Sequence, residues 1–227
     1  MNFKPAAFFA LLLFATGCGY GPMDNHEVIT ASTPLEKLLD GNKRFVAGAA
    51  EHPDESIQRI QDLKKGQTPF AIVVCCSDSR VPPELIFDQG LGDLFVVRTA
   101  GNVIGDYELG SIEYAVEHLK CKQIIVLGHE NCGAVKAYLN DTPELHESHI
   151  GKIVDYLSAE AEEKQLPEAE KKNIGLAVRA NILHAVHFLK NADPVLLPLV
   201  QENKIEITGA VYSLDNGAIS LLNDPVN

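Results

Sequence analysis

An α/β fold is predicted by this 227-residue sequence, with a central, mostly parallel β-sheet of four to five strands flanked by helices and preceded by an N-terminal helical arm. Three observations predict it. Short, nearly continuous apolar runs rich in Val and Ile occupy 70–75, 94–97 and 123–127, and such runs mark strands covered on both faces, as in a parallel sheet. Helical segments lie between them, notably 107–119, which gives the strand-helix alternation of α/β domains. A composition of 46% hydrophobic and 22% charged residues is ordinary for a globular chain, and the length suits one well-buried domain.

The elements follow in order. Residues 1–18 read as a secretion signal: Lys4 is the positive start, Ala6 to Phe14 are apolar, and Ala15-Thr16-Gly17-Cys18 close it. The apolar run is too short for a spanning helix, which needs about 20 residues. The small residues before Cys18 resemble a bacterial lipobox, which implies lipidation of Cys18. Gly19 puts no acidic residue after it, so the resemblance implies a periplasmic protein anchored to the outer membrane. Residues 19–32 then form a tether, and 33–227 form the folded domain. Thr33-Pro34-Leu35-Glu36 opens a helix with an N-cap, a proline at the first position and a capping-box glutamate. Leu35, Leu38, Leu39 and Phe45 give that helix an apolar face that must pack on the domain or on another subunit, and Gly48 ends it. A polar helix over 56–65 precedes the turn Gly66-Gln67-Thr68-Pro69.

After the three strands, the charged segment 144–172, with Glu160, Glu162 and Glu163 near Lys164, is expected to be a solvated helical face. Residues 174–189 have helical apolar spacing, and His184 and His187 within them are expected to be surface or core histidines rather than ligands. The run 205–212 alternates and is expected to form an edge strand.

The formal net charge of −12 argues against non-specific attachment to nucleic acid or to an anionic bilayer, since both reward Lys and Arg. Contact with a membrane is therefore expected only through the lipid anchor. Beyond Cys18 the cysteines are Cys75, Cys76, Cys121 and Cys132, too few for a disulfide scaffold in a domain of this size.

The chemistry gathers where strands end. Cys75-Cys76-Ser77-Asp78-Ser79-Arg80 closes the first strand, and Gly128-His129-Glu130-Asn131-Cys132-Gly133 closes the third. In open α/β sheets ligands sit outside the carboxyl ends of strands, so the two clusters should meet. His129 and Cys132, three residues apart at a strand-to-helix turn, can converge on one ion, and Cys76 supplies a third donor from the neighbouring strand. Two thiolates and one imidazole suit Zn2+, one per subunit, and three protein ligands leave the open position of a catalytic site. Alternation along the strand lets only one of Cys75 and Cys76 face the crevice, so Cys75 is expected in the core, as is Cys121. Asp78 and Arg80 can form a bidentate pair that keeps the carboxylate ionised.

These two motifs, together with the run from Asp93 to Asn102 and Gly209-Ala210-Val211-Tyr212, resemble the β-class carbonic anhydrases over about Leu35 to Gly217. The resemblance implies reversible, zinc-dependent hydration of CO2 to bicarbonate and a proton by a hydroxide on the zinc. It assigns Cys76, His129 and Cys132 as metal ligands and Asp78 with Arg80 as a catalytic dyad, with Asp78 as an alternative fourth ligand in a closed state. It also implies a homodimer or homotetramer, with the N-terminal helix across a partner, and a substrate-facing Gln89, one position from the family's usual glutamine. Rival functions are a related zinc hydrolase of carbonyl sulfide or carbon disulfide, a non-catalytic periplasmic zinc-binding protein, and a thiol oxidoreductase. Adjacent cysteines lack the Cys-X-X-Cys geometry that the last would use.

Overall fold

The computed structural model describes residues 33–223. The signal segment 1–18 with Cys18, the tether 19–32 and residues 224–227 lie outside the described residues. The described chain runs α1 (Pro34–Val46), α2 (Ile57–Asp62), β1 (Ala71–Cys76), α3 (Pro83–Ile86), β2 (Leu94–Thr99), α4 (Asp106–Glu117), β3 (Gln123–His129) and α5 (Gly133–Leu139). It continues with α6 (His149–Ala159), α7 (Ala161–Lys164), α8 (Ile174–Lys190), α9 (Leu196–Gln201), β4 (Glu206–Tyr212) and β5 (Ile219–Leu221).

The strands form one sheet in the order β2-β1-β3-β4-β5. Pairing is parallel from β2 to β4, with Cys76 beside Thr99, Cys75 beside Leu127 and His129 beside Tyr212. The carboxyl ends of β1, β2 and β3 therefore lie at one edge. Alternation divides each strand between two layers. Ile72, Val74 and Cys76 pack with Ile124, Val126 and the apolar faces of α4 and α8, while Ala71, Val73 and Cys75 pack with Ile125, Leu127, Leu38 and Phe87. Removing such side chains from water stabilises by about 1.5–3 kcal/mol each, which commits the register on both faces.

Helix α1 begins as its sequence requires: the Glu36 N–H donates to Thr33 Oγ1 at 3.2 Å, and the Thr33 N–H donates to Glu36 Oε2 at 2.9 Å. Its apolar face rests on the chain's own domain, where Leu38 is fully buried. The approach is close enough to require glycine, since a Cβ on Gly41 would stand 1.7 Å from the Phe87 carbonyl oxygen. Asn42 ties the helix down, with Nδ2 donating to the Ile86 and Gly217 carbonyls and Oδ1 accepting from the Ile219 N–H.

Two expectations are corrected. The run 205–212 is not an edge strand, because β5 returns antiparallel along its outer side. A turn closed by Ser213 and Gly217 reverses the chain, and the returning segment is too short to show a period of its own. The acidic segment is not a uniformly solvated face either. Glu160 takes an extended conformation (φ −58, ψ 133) between α6 and α7, and the bend turns Glu160 and Glu163 inward, to 1% and 2% exposure. Burial, with the neighbouring Glu163 and Glu162 charges, pushes Glu160 up to about 9, and burial raises Glu163 as well. Glu162 goes the other way: burial opposes its charge, but His187 and His184 at 2.6 and 2.7 Å hold it below its ordinary value.

Candidate metal centre

The site is built where β1 and β3 end. Cys76 is the last residue of β1, His129 the last of β3, and Cys132 the N-cap of α5. Asn131 turns the chain between the last two with φ 54. The Cys76 and Cys132 sulfurs and the imidazole nitrogen all lie within 4.8 Å of one another, and all three residues are buried. The sulfurs stand 4.0 Å apart, and both thiols are free. Bond lengths of about 2.3 Å around a tetrahedral ion place two sulfurs about 3.8 Å apart, so this spacing fits a shared metal.

The imidazole supplies the sharper test. Nδ1 lies 2.9 Å from the Glu130 carbonyl oxygen, which can only accept, so Nδ1 carries the hydrogen and Nε2 keeps its lone pair. Nε2 is buried and has no hydrogen-bond partner. An orphaned acceptor inside a protein is costly, and one aimed at two sulfurs is satisfied by a cation. Thiol electrostatics agree. Hydrogen bonding with Cys132 leads the influences that lower the Cys76 thiol, and with the adjacent imidazole and the backbone of Gly101 and Asp78 it outweighs burial. Cys132 is raised by the Cys76 thiolate beside it and by burial. A cation between the sulfurs would let both ionise.

Asp78 and Arg80 form the expected pair: Arg80 Nε donates to Oδ1 at 2.9 Å and Nη2 to Oδ2 at 2.7 Å. These bonds hold the Asp78 carboxyl well below the usual carboxylate range. The same Oδ2 lies 3.7 Å from His129 Nε2, so the carboxylate borders the space between the donors while remaining on Arg80.

Cys75 is fully buried in the opposite layer, where burial pushes its thiol up to about 12 despite the opposing Arg98 charge. Cys121 is buried, and its thiol donates to the Pro69 carbonyl. Gln89 is buried beside Gly41 of α1 with Nε2 donating to the Phe87 carbonyl, while its Oε1 finds no hydrogen-bond partner.

Several residues that shape the site were not singled out from the sequence. Arg98 in β2 donates from Nε to the Cys76 carbonyl and from Nη2 to the Asp78 carbonyl, fixing the loop that carries the acid. A guanidinium inside an otherwise apolar strand was the available signal. Glu130 accepts from Ser213 Oγ and the Leu214 N–H, clamping the His129 turn to the end of β4. Gly101, at φ 71, donates its N–H to Cys76 Sγ at 3.3 Å.

Comparison with known proteins bears on this geometry. A family model described as carbonic anhydrase matches residues 71–219. The carbonic anhydrase of Mycolicibacterium smegmatis is 55% identical over 120 residues, covering 52% of this chain and 58% of that relative. The chain spans little more than half the length of that protein. Among solved structures, the β-carbonic anhydrase CcaA matches with a TM-score of 0.63 and 31% identity over 83% of this chain and 95% of that one. A β-carbonic anhydrase from Sordaria macrospora, described as tetrameric, matches with a TM-score of 0.62 and 25% identity over 82% of this chain and 95% of that one.

Proposed function

We propose, because the chain belongs to the carbonic anhydrase family in its β class, that it hydrates carbon dioxide reversibly to bicarbonate and a proton, using a zinc ion held by Cys76, His129 and Cys132. The observation that carries this reading is the buried, unpartnered His129 Nε2, which faces two sulfurs and lies 3.7 Å from a carboxylate oxygen of Asp78. Zinc, when bound, supplies the Lewis acidity that brings the pKa of a water from about 15.7 toward neutrality. Asp78 would accept a hydrogen bond from a water held beside these donors, leaving the water's lone pair free for the substrate. Arg80 keeps Asp78 ionised and turned toward this task.

Cys76 and Cys132 belong to the same apolar layer as Val97, Ile104 and Val135, surroundings suited to a linear substrate without charge. Two anionic sulfurs leave the ion less positive than three neutral imidazoles would, so hydration should strengthen toward alkaline pH. Gln89 as a substrate contact, and Asp78 as a fourth ligand in a closed state, remain proposals from family resemblance. So does a homodimer or homotetramer, supported by the tetrameric description of the Sordaria macrospora relative. Export, and anchoring through Cys18, rest on residues 1–18 alone.

The test is stopped-flow CO2 hydration from about pH 6.5 to about pH 9 on zinc-assayed protein, beside Asp78→Asn. Hydration should rise with pH, and Asp78→Asn should retain zinc while losing about 10- to 100-fold in rate. Full zinc occupancy with no hydration at any pH would overturn the enzymatic reading, leaving a hydrolase of a related molecule or a zinc-binding protein.

A further inference from the structure

Helix α8 meets the metal centre at two consecutive residues. Ile182 presses against Gly128, where a Cβ would stand 2.5 Å from Ile182 Cδ1, so the strand approaches the helix closely just before His129. The preceding residue, Asn181, is polar and 2% exposed within a helix whose other buried residues are apolar. A buried amide needs partners, and Asn181 finds them at the site. Its Nδ2 donates to the Gly101 carbonyl at 2.9 Å and lies 3.5 Å from Asn102 Oδ1. The amide orientation follows from the contact, because Oδ1 turned toward that carbonyl would oppose two acceptors.

Gly101 is held from both ends. Its carbonyl is held by Asn181, and its N–H donates to Cys76 Sγ at 3.3 Å. With φ 71 it occupies the left-handed region, and a Cβ there would meet Ala134 Cβ at 2.8 Å, so only glycine fits. Glycine is also the residue freest to leave that conformation, and the grip on its carbonyl restrains it.

We propose that Asn181 is a positioning residue that holds Gly101 in the conformation directing its N–H at the Cys76 sulfur. The assignment rests on Cys76 being a metal ligand. An N–H donor draws charge from the thiolate and fixes the direction of its lone pairs, so Asn181 tunes how strongly this sulfur donates to the ion. It does so across 105 positions of sequence and without touching the metal site's donors itself.

The experiment compares wild type with Asn181→Ala and with Asn181→Ser, which keeps a small donor, using Val178→Ala as a core change elsewhere on α8. Two signals are read: the Gly101 amide proton shift in the zinc-loaded protein, and the thiolate-to-metal absorption band after cobalt replaces zinc. In Asn181→Ala the amide proton should move upfield and the band should move to lower energy, with a smaller change in Asn181→Ser. Val178→Ala should lower the melting temperature and move neither signal. A destabilised Asn181→Ala with both signals in place would overturn the positioning role, and so would failure of both Asn181 variants to fold, which would make Asn181 a support of the fold. If wild type takes up no cobalt or zinc, the metal-centre reading fails, and the Gly101 amide shift still reports on the hydrogen bond.

Discussion

Two of the buried pairs of acids in this domain, the Cys76–Cys132 and Glu160–Glu163 pairs, are kept in opposite ways. Cys76 and Cys132, at 4% and 2% exposure, sit among donors: the Gly101 N–H reaches one sulfur, the Ala134 and Val135 N–H groups assist the other, and an imidazole faces both. Glu160 and Glu163, at 1% and 2%, sit where Glu160 Oε1 and both Glu163 oxygens find no hydrogen bond of good geometry, although Tyr138 lies near Glu163. Donors and a lone pair prepare the first pair for a cation. Their lack leaves the second pair where burial favours the neutral, protonated form. Burial alone therefore does not mark a site. What marks it is whether the surroundings favour the charged form.

The largest break in this comparison comes from Cys76→Ser. A hydroxyl is a far poorer zinc donor than a thiolate, so zinc should be lost on dialysis, and with it at least about 1000-fold in hydration rate. Zinc content by metal analysis, set beside the rate, checks this. A Cys76→Ser protein that kept full zinc and full rate would dissolve the distinction between the two pairs.

Glu160→Gln tests the other pair through pH. Folded Glu160 keeps its proton to about 9, whereas its ordinary value is 4.5. Between these values the unfolded chain releases a proton that the folded chain retains. Stability contributed by this group is therefore full below the lower value and falls as pH rises to the upper one, beyond which no further loss accrues. Replacing Glu160 with glutamine removes that slope. At pH 8 the variant should melt roughly 5 °C above wild type, and the gap should close toward pH 5. Equal melting temperatures at both pH values would mean that Glu160 is already charged in the fold.

How much of this could be read from sequence differs between the two regions for a physical reason. Cys76, His129 and Cys132 carry rare chemistry at strand ends, and a parallel sheet aligns those ends, so the trio was legible before the fold. Asp78 and Arg80 were legible because two residues of spacing suffices for a bidentate pair. Asn181 was not, since its partner is Gly101 and only tertiary packing brings α8 to that loop. Glu160 misled because a run of charges normally lies in water, and the bend that buries it depends on α6 and α7 turning against each other. The strand β5 was missed for its three-residue length.

The smallest expected effect sharpens the comparison most locally. Cys75 and Cys76 are chemically identical neighbours on one strand, yet they belong to opposite layers of the sheet. Burial raises the Cys75 thiol to about 12, so it stays neutral and acts as a small apolar side chain packed near Leu38 and Ile125. Cys75→Ala removes only a sulfur atom, which should cost about 1 kcal/mol, or about 3 °C in melting temperature. Zinc content and hydration rate should both remain at wild-type values. If zinc were lost instead, the sulfur facing the crevice would be Cys75, and the alternation of β1 that sets every other donor would have to shift by one residue.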